Sequence, residues 1–268
     1  MSNEPKVDLA KFLGPSLPNR VYSFWFQHVE NDQNLTLPTP EVFKPWFTKD
    51  AGFDLECVTQ FKPILAAIHQ ANPQLQTQTQ VQAQAERILE LVNPSSSLEW
   101  LGLIILLDQL PRNCYRGIES ALVFTYFDPI ARVITFRALE QKIPSSSPEV
   151  RYRLALRHWF YLPFMHSEDL SHQELVLEGF REMDEDVRRL LDQQPSGGLS
   201  EKELACREIL LSNRKAVEGI SAQNLKFQKE HHEIIAQFGR YPYRNQTLGR
   251  TTTPEEEKFL REANISFG

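Results

Sequence analysis

Three short stretches of this chain bring together residue types that can bind and move protons. The first is LLDQLPRNCYRG (106–117). An apolar run from Leu101 to Leu107 ends there in Asp108, Gln109, Arg112, Asn113 and Arg116. The second is FYLPFMHSEDLSHQ (160–173), with His166, Ser167, Glu168 and Asp169. The third is FGRYPYRNQTLGR (238–250), with Arg240, Arg244, Asn245 and Arg250. Guanidinium groups present a planar fork that suits a carboxylate or phosphate. An imidazole titrates near neutrality and becomes a general base when a carboxylate orients it. The chemistry these residues predict is acid–base work on a small acidic organic ligand. His166, Glu168 and His231 are the candidate catalytic groups. Asp108, Gln109, Arg112, Asn113, Arg116, Arg240, Arg244 and Asn245 are the candidate substrate-binding groups.

Each motif also has a plainer reading. Arg112 and Arg116 can tie helix ends together by pairing with Asp108, Asp128, Glu168 or Asp169. Ser167 or Asp169 can be a helix N-cap, with Glu168 in the first turn. A serine nucleophile at Ser167 lacks a glycine elbow. His231 and His232 are adjacent on a helix and point in different directions. No metal-binding spacing such as HExxH occurs, so neither a metal nor another cofactor is expected. Cys114 reads as a small apolar filler. The aromatic residues Trp25, Phe26, Trp46, Phe47, Trp159, Phe160 and Tyr161 read as core or as the wall of an arginine-floored pocket.

The elements that must position these residues are helical. Glycine is scarce, at 11 of 268 residues, and apolar residues recur at helical spacing. Helices are expected at about 98–110, from Asp128-Pro129 (with Asp128 as N-cap) to about 142, and over 171–192. Residues 145–149 read as a loop followed by a new helix start. Ser200 and Glu203 form a capping box opening a helix that runs to about Phe238 with an interruption near Gly219. Thr253-Pro254 starts a last short helix. Residues 195–198 are the clearest flexible break. Residues 74–85 place glutamine at alternate positions, a strand period by rule, yet without partner strands a solvated helix or loop is preferred.

Composition bounds the rest. A hydrophobic content of 41% and a charged content of 24% are ordinary for a globular chain. The net charge of −6 weighs against non-specific nucleic-acid binding. Three scattered cysteines without a CxxC pair indicate a reducing compartment. There is no membrane-spanning run and no signal-peptide core at the N-terminus, so a cytoplasmic location is expected.

The three motifs, together with Phe24-Trp25-Phe26, Trp46-Phe47 and Phe53-Asp54, resemble the uncharacterised helical family catalogued as domain of unknown function 924, placed in a tetratricopeptide-like superfamily. The resemblance runs from about Tyr22 to Phe267. It implies an all-α, compact multi-helix, TPR-like domain over 21–268 behind an N-terminal extension, 1–20, and it implies no activity. No 34-residue repeat is visible. The chain departs from the family pattern at Gln237 (usually arginine), Tyr243 (usually histidine) and Leu110 (usually aromatic). Two function classes follow. One is a small-molecule site, binding or enzymatic, of the cofactor-independent isomerase, cyclase, lyase or hydrolase type. The alternative is a TPR-like scaffold whose groove takes a protein or peptide partner.

Overall fold

The apolar run that ends at Asp108 lies at the centre of an all-helical molecule. The structure, a computed structural model, describes residues 7–193 and 198–262. No strand occurs among them. In chain order the helices are α1 (Leu17–Trp25), α2 (Asp32–Thr36), α3 (Pro40–Phe47), α4 (Ala51–Ala71), α5 (Gln78–Val92), α6 (Ser97–Cys114), α7 (Ser120–Leu122), α8 (Asp128–Glu140), α9 (Ile143–Ser146), α10 (Leu154–Arg157), α11 (Leu162–Met165), α12 (Leu170–Asp192), α13 (Glu201–Ser212), α14 (Arg214–Phe238) and α15 (Pro254–Glu262).

Residues 100–111 of α6 are all buried. A helix without a polar face must be surrounded, and α1, α4 and α8 pack around this one. Each fully buried leucine or isoleucine contributes roughly 1.5–3 kcal/mol, so α6 is the apolar axis of the larger core. Gly102 makes the closest approach possible: a Cβ there would come within 2.1 Å of the Pro18 carbonyl oxygen on α1. A second core gathers Tyr161, Phe164, Val176, Phe180, Met183 and Leu210 between α11, α12 and α13. Gly179 serves it in the same way, since a Cβ would meet the Tyr161 ring at 2.2 Å. A small third cluster of Ile234, Ile235 and Tyr241 seats the last motif against the end of α14.

Local chemistry explains most boundaries. The glutamine-rich stretch is helical, because Thr77 and Gln80 form a capping box and Val81, Gln84, Ala85, Ile88 and Val92 face inward. The Ser200–Glu203 box opens α13. The long C-terminal helix breaks at Asn213 and not at Gly219, which lies inside α14. The stretch at 145–149 also differs: α9 ends at Ser146, and the next helix opens only at Leu154. Asp128 is not an N-cap. A π-helical turn, Val123–Phe127, runs straight into α8 and carries Asp128 inward. Leu9, Leu13 and Leu17, in the segment read as an extension, belong to the main core. The break at 195–198 lies, apart from Gly198, outside the described residues. No helix is long and apolar enough among them to cross a membrane.

Candidate functional site

The C-terminal half of α6 delivers Asp108 into the interior, where it is 1% exposed. Three side chains hold it. His166, just after α11, lies with Nδ1 2.8 Å from Oδ1. The Gln109 amide donates to Oδ2 at 2.5 Å. Arg112, one turn along α6, donates to Oδ1 at 3.4 Å and reaches Asp128 Oδ1 at 2.9 Å. Burial works against the Asp108 charge, but His166, Arg112 and the hydrogen bonds outweigh it and hold the carboxyl below its ordinary range. Burial and the neighbouring Arg112 push the His166 imidazole the other way, towards its neutral form, against the pull of Asp108. A neutral ring whose Nδ1–H is given to a carboxylate has its lone pair on Nε2. That nitrogen has no hydrogen-bond partner among the described residues and is not sealed from solvent, the side chain being 18% exposed. This is the geometry of an oriented general base.

Around this dyad, positive charge exceeds negative. Arg244 is 4% exposed, yet no carboxylate among the described residues lies within ion-pair distance of it. Its Nε donates to the Tyr243 hydroxyl at 3.3 Å. Its guanidinium carbon lies 4.4 Å from the Phe124 ring centre, 4.6 Å from Tyr241 and 5.5 Å from Tyr243. Aromatic faces compensate a buried cation only in part. Arg132, one turn along α8 from Asp128, is half-buried and has neither an ion pair nor a hydrogen bond among the described residues; it feels Asp128, Arg244, Asp108 and Arg112. Arg112 Nη1 is buried without a partner, as are both oxygens of Asp128 by hydrogen-bond geometry. His231 sits beside this group, its Nδ1 donating to the Phe227 carbonyl and its ring against Tyr241. Burial pushes it down to about 4, so near neutrality it is an uncharged wall.

The other predicted residues are held elsewhere. Asn113 and Arg116 both bind Asp54 at the start of α4, at 2.8 Å and at 3.0 and 2.8 Å. They clamp α6 to α4 and do not line the cluster. Arg240 grips Glu256 through two hydrogen bonds of 2.6 and 2.9 Å, and Asn245 donates to the same carboxylate at 3.0 Å. Glu168 is held by Arg250 at 2.9 and 2.7 Å and accepts from the Tyr241 backbone at 3.0 Å. Its carboxylate latches the last motif to α12 and has no proton to relay. Single-site convergence of all three motifs therefore fails for Asn113, Arg116, Arg240 and Asn245, and Glu168 becomes a positioning residue.

Trp25, Trp46 and Trp159 pack on one another in the main core, with the exposed Phe47 stacked on Trp159 from outside, and wall no arginine; the rings around Arg244 are Phe124, Tyr241 and Tyr243. Ser167 closes the turn before α12, taking the Asp169 N–H and hydrogen bonding to His172. Burial pushes the Cys114 thiol up to about 12, the opposite of a reactive thiolate. No three His, Cys, Asp or Glu side chains gather into a metal site among the described residues. The open trough lined by Glu174, Glu178, Arg181, Glu182 and Glu185 is solvated charge on the outer face of α12, apart from the dyad. Sequence reasoning missed Arg132 and Phe124. Asp128 to Arg132 is the spacing of an ordinary surface pair, and Phe124 needed the π-turn to face inward.

The comparisons with known proteins fit this picture without adding a reaction. No curated protein and no solved structure matches the chain. The family described as bacterial protein of unknown function (DUF924) matches it over residues 21–264. With nearly its whole length covered, the chain belongs to that family.

Proposed function

We propose that the chain binds a small acidic organic molecule at the Asp108–His166 cluster and uses His166 as the acid/base group of a cofactor-independent reaction. The observation that carries this reading is Arg244. Its guanidinium is 4% exposed with no carboxylate among the described residues within ion-pair distance; Asp128 and Glu168 hold its charge against burial only from farther away, which leaves its planar fork free to take a further anion. An anion supplied from outside would satisfy it. In this reading Arg244 and Arg132 grip the ligand, Arg112 orients Asp108 and stabilises charge beside it, and His166 Nε2 takes or gives the proton. Isomerase, cyclase, lyase and hydrolase chemistry all use such a base. The burial of these groups supports a small-molecule site over a TPR-like scaffold, whose polar residues would line an open face. Three buried, unpaired cysteines are in keeping with a cytoplasmic location.

The test is a calorimetric and NMR titration with small carboxylic acids, repeated on Arg244→Met. Wild type is expected to bind in a saturable way. Arg244→Met should lose that binding while the protein stays folded, since methionine fills the same aromatic seat without the charge. Equal binding by the variant would overturn the proposal.

A further inference from the structure

Resting on that reading, we infer that the site is charge-matched to a monoanion and that buried Asp128 is the residue that sets this limit. The cluster holds three guanidinium groups, Arg112, Arg132 and Arg244, and two carboxylates, Asp108 and Asp128, which leaves one positive charge. The nearby Glu168 cancels against Arg250, and His166 and His231 face the cluster in their uncharged forms. One negative charge from a ligand makes the site neutral; two leave it with a net negative charge in a poorly solvated interior.

Asp128 is the informative member. It is 1% exposed, and its only ion pair among the described residues is the 2.9 Å contact from Arg112. Neither oxygen has a hydrogen bond of good geometry. For fixing helices this is a poor arrangement, because an apolar residue of similar size would serve as well or better. What the carboxylate does supply is charge. It acts on Arg132 and on Arg244 as well as on Arg112, so it offsets part of the field of all three and forms no closed pair with any one. Unit charges a few ångströms apart at the effective dielectric of a protein interior shift affinity by about a hundredfold. Asp108 cannot have this role alone, since His166, Gln109 and Arg112 already occupy both of its oxygens.

The experiment compares succinate with its monomethyl ester, which keeps the carbon body and drops one charge, at pH 7.5. For wild type the monoester should bind about tenfold or more tightly than succinate. Asp128→Asn keeps the volume and removes one negative charge, so the preference should reverse, succinate gaining at least tenfold over the monoester. Tighter binding of succinate by the wild-type protein overturns the charge limit and leaves the anion site standing. Saturable binding of neither compound overturns both. An unchanged preference in folded Asp128→Asn removes Asp128 from the role; if that variant does not fold, Asp128→Ser, which also removes the charge, carries the same comparison, and an unchanged preference there overturns the assignment to Asp128.

Discussion

The molecule buries two groups of arginines and aspartates, and they differ in how they are completed. Around Asp186 on α12, both carboxylate oxygens are taken, one by Arg151 at 2.5 Å and one by Arg157 at 2.7 Å. Arg157, fully buried, also donates to the Arg151 carbonyl and lies 3.4 Å from the Tyr161 hydroxyl, with only Nη2 lacking a partner. The surplus charge of this knot sits on Arg151, whose side chain is 31% exposed. Around Asp108 the surplus sits on Arg244, at 4% exposure. A buried arginine is therefore no sign of a site in itself. The informative difference is whether its counter-charge is built into the chain or left for something else to bring.

Three perturbations test that contrast. The largest effect should come from Asp186→Asn, which strands Arg157 in the interior. It should destabilise the fold by about 3–5 kcal/mol in chemical denaturation and leave carboxylate binding at the other cluster intact. A loss below about 1 kcal/mol would mean the knot is not closed in the sense described.

Acid comes next. Two histidines are kept neutral by burial: His158, next to Arg157 in the chain and packed against Phe43 and Trp159, and His231 beside Arg244, both pushed down to about 4 from an ordinary 6.5. Below pH 6.5 the unfolded chain takes up protons that the native state refuses until about pH 4. Their contribution is thus complete above pH 6.5 and is lost as pH falls towards 4. The loss is on the order of 3 kcal/mol for each residue. Denaturation curves from pH 7.5 to 4.5 should show it, and His158→Phe and His231→Phe should each flatten the slope. A wild-type stability that is level across this range would contradict the burial argument for both.

The smallest stability effect is expected from His166→Gln. Glutamine can still donate to Asp108, so the change should cost about 1 kcal/mol or less and leave anion binding in place, while any turnover disappears because an amide cannot exchange the proton. A loss as large as that of Asp186→Asn would move His166 from the open cluster to the structural one.

How much of this could be read from the chain follows from the range of each signal. The capping box at Ser200, the N-cap before α12 at Asp169, the apolar run of α6 and the scarcity of glycine are local signals, and the helices follow from them. Asp108, Gln109, Arg112 and His166 were found as a set because an apolar run that ends in charge is costly unless that charge has partners. The division of the other arginines was not legible. Arg116 and Arg244 look alike in their motifs, yet Asp54 lies 62 positions before the first and no carboxylate among the described residues lies within ion-pair distance of the second. Which arginine is paired is a property of tertiary proximity alone. Arg157 could have been noticed, since it interrupts the run from Leu154 to Phe160 as abruptly as Asp108 interrupts its own.

The latch between Glu168 and Arg250 has a consequence for how the protein is made. Its two halves are 82 residues apart, so on the ribosome His166 emerges about 4–16 seconds before Arg250 at ordinary synthesis rates. Through that interval α6, α8 and α11 can already be joined, with the Asp108–His166 pair in place and the wall carrying Tyr241 and Arg244 still missing. The nascent cluster is thus first charge-balanced, with Asp108 and Asp128 against Arg112 and Arg132, and on the proposed reading it turns anion-seeking only when the final motif docks and brings Arg244. On that reading, competence to bind is acquired at the last step of synthesis.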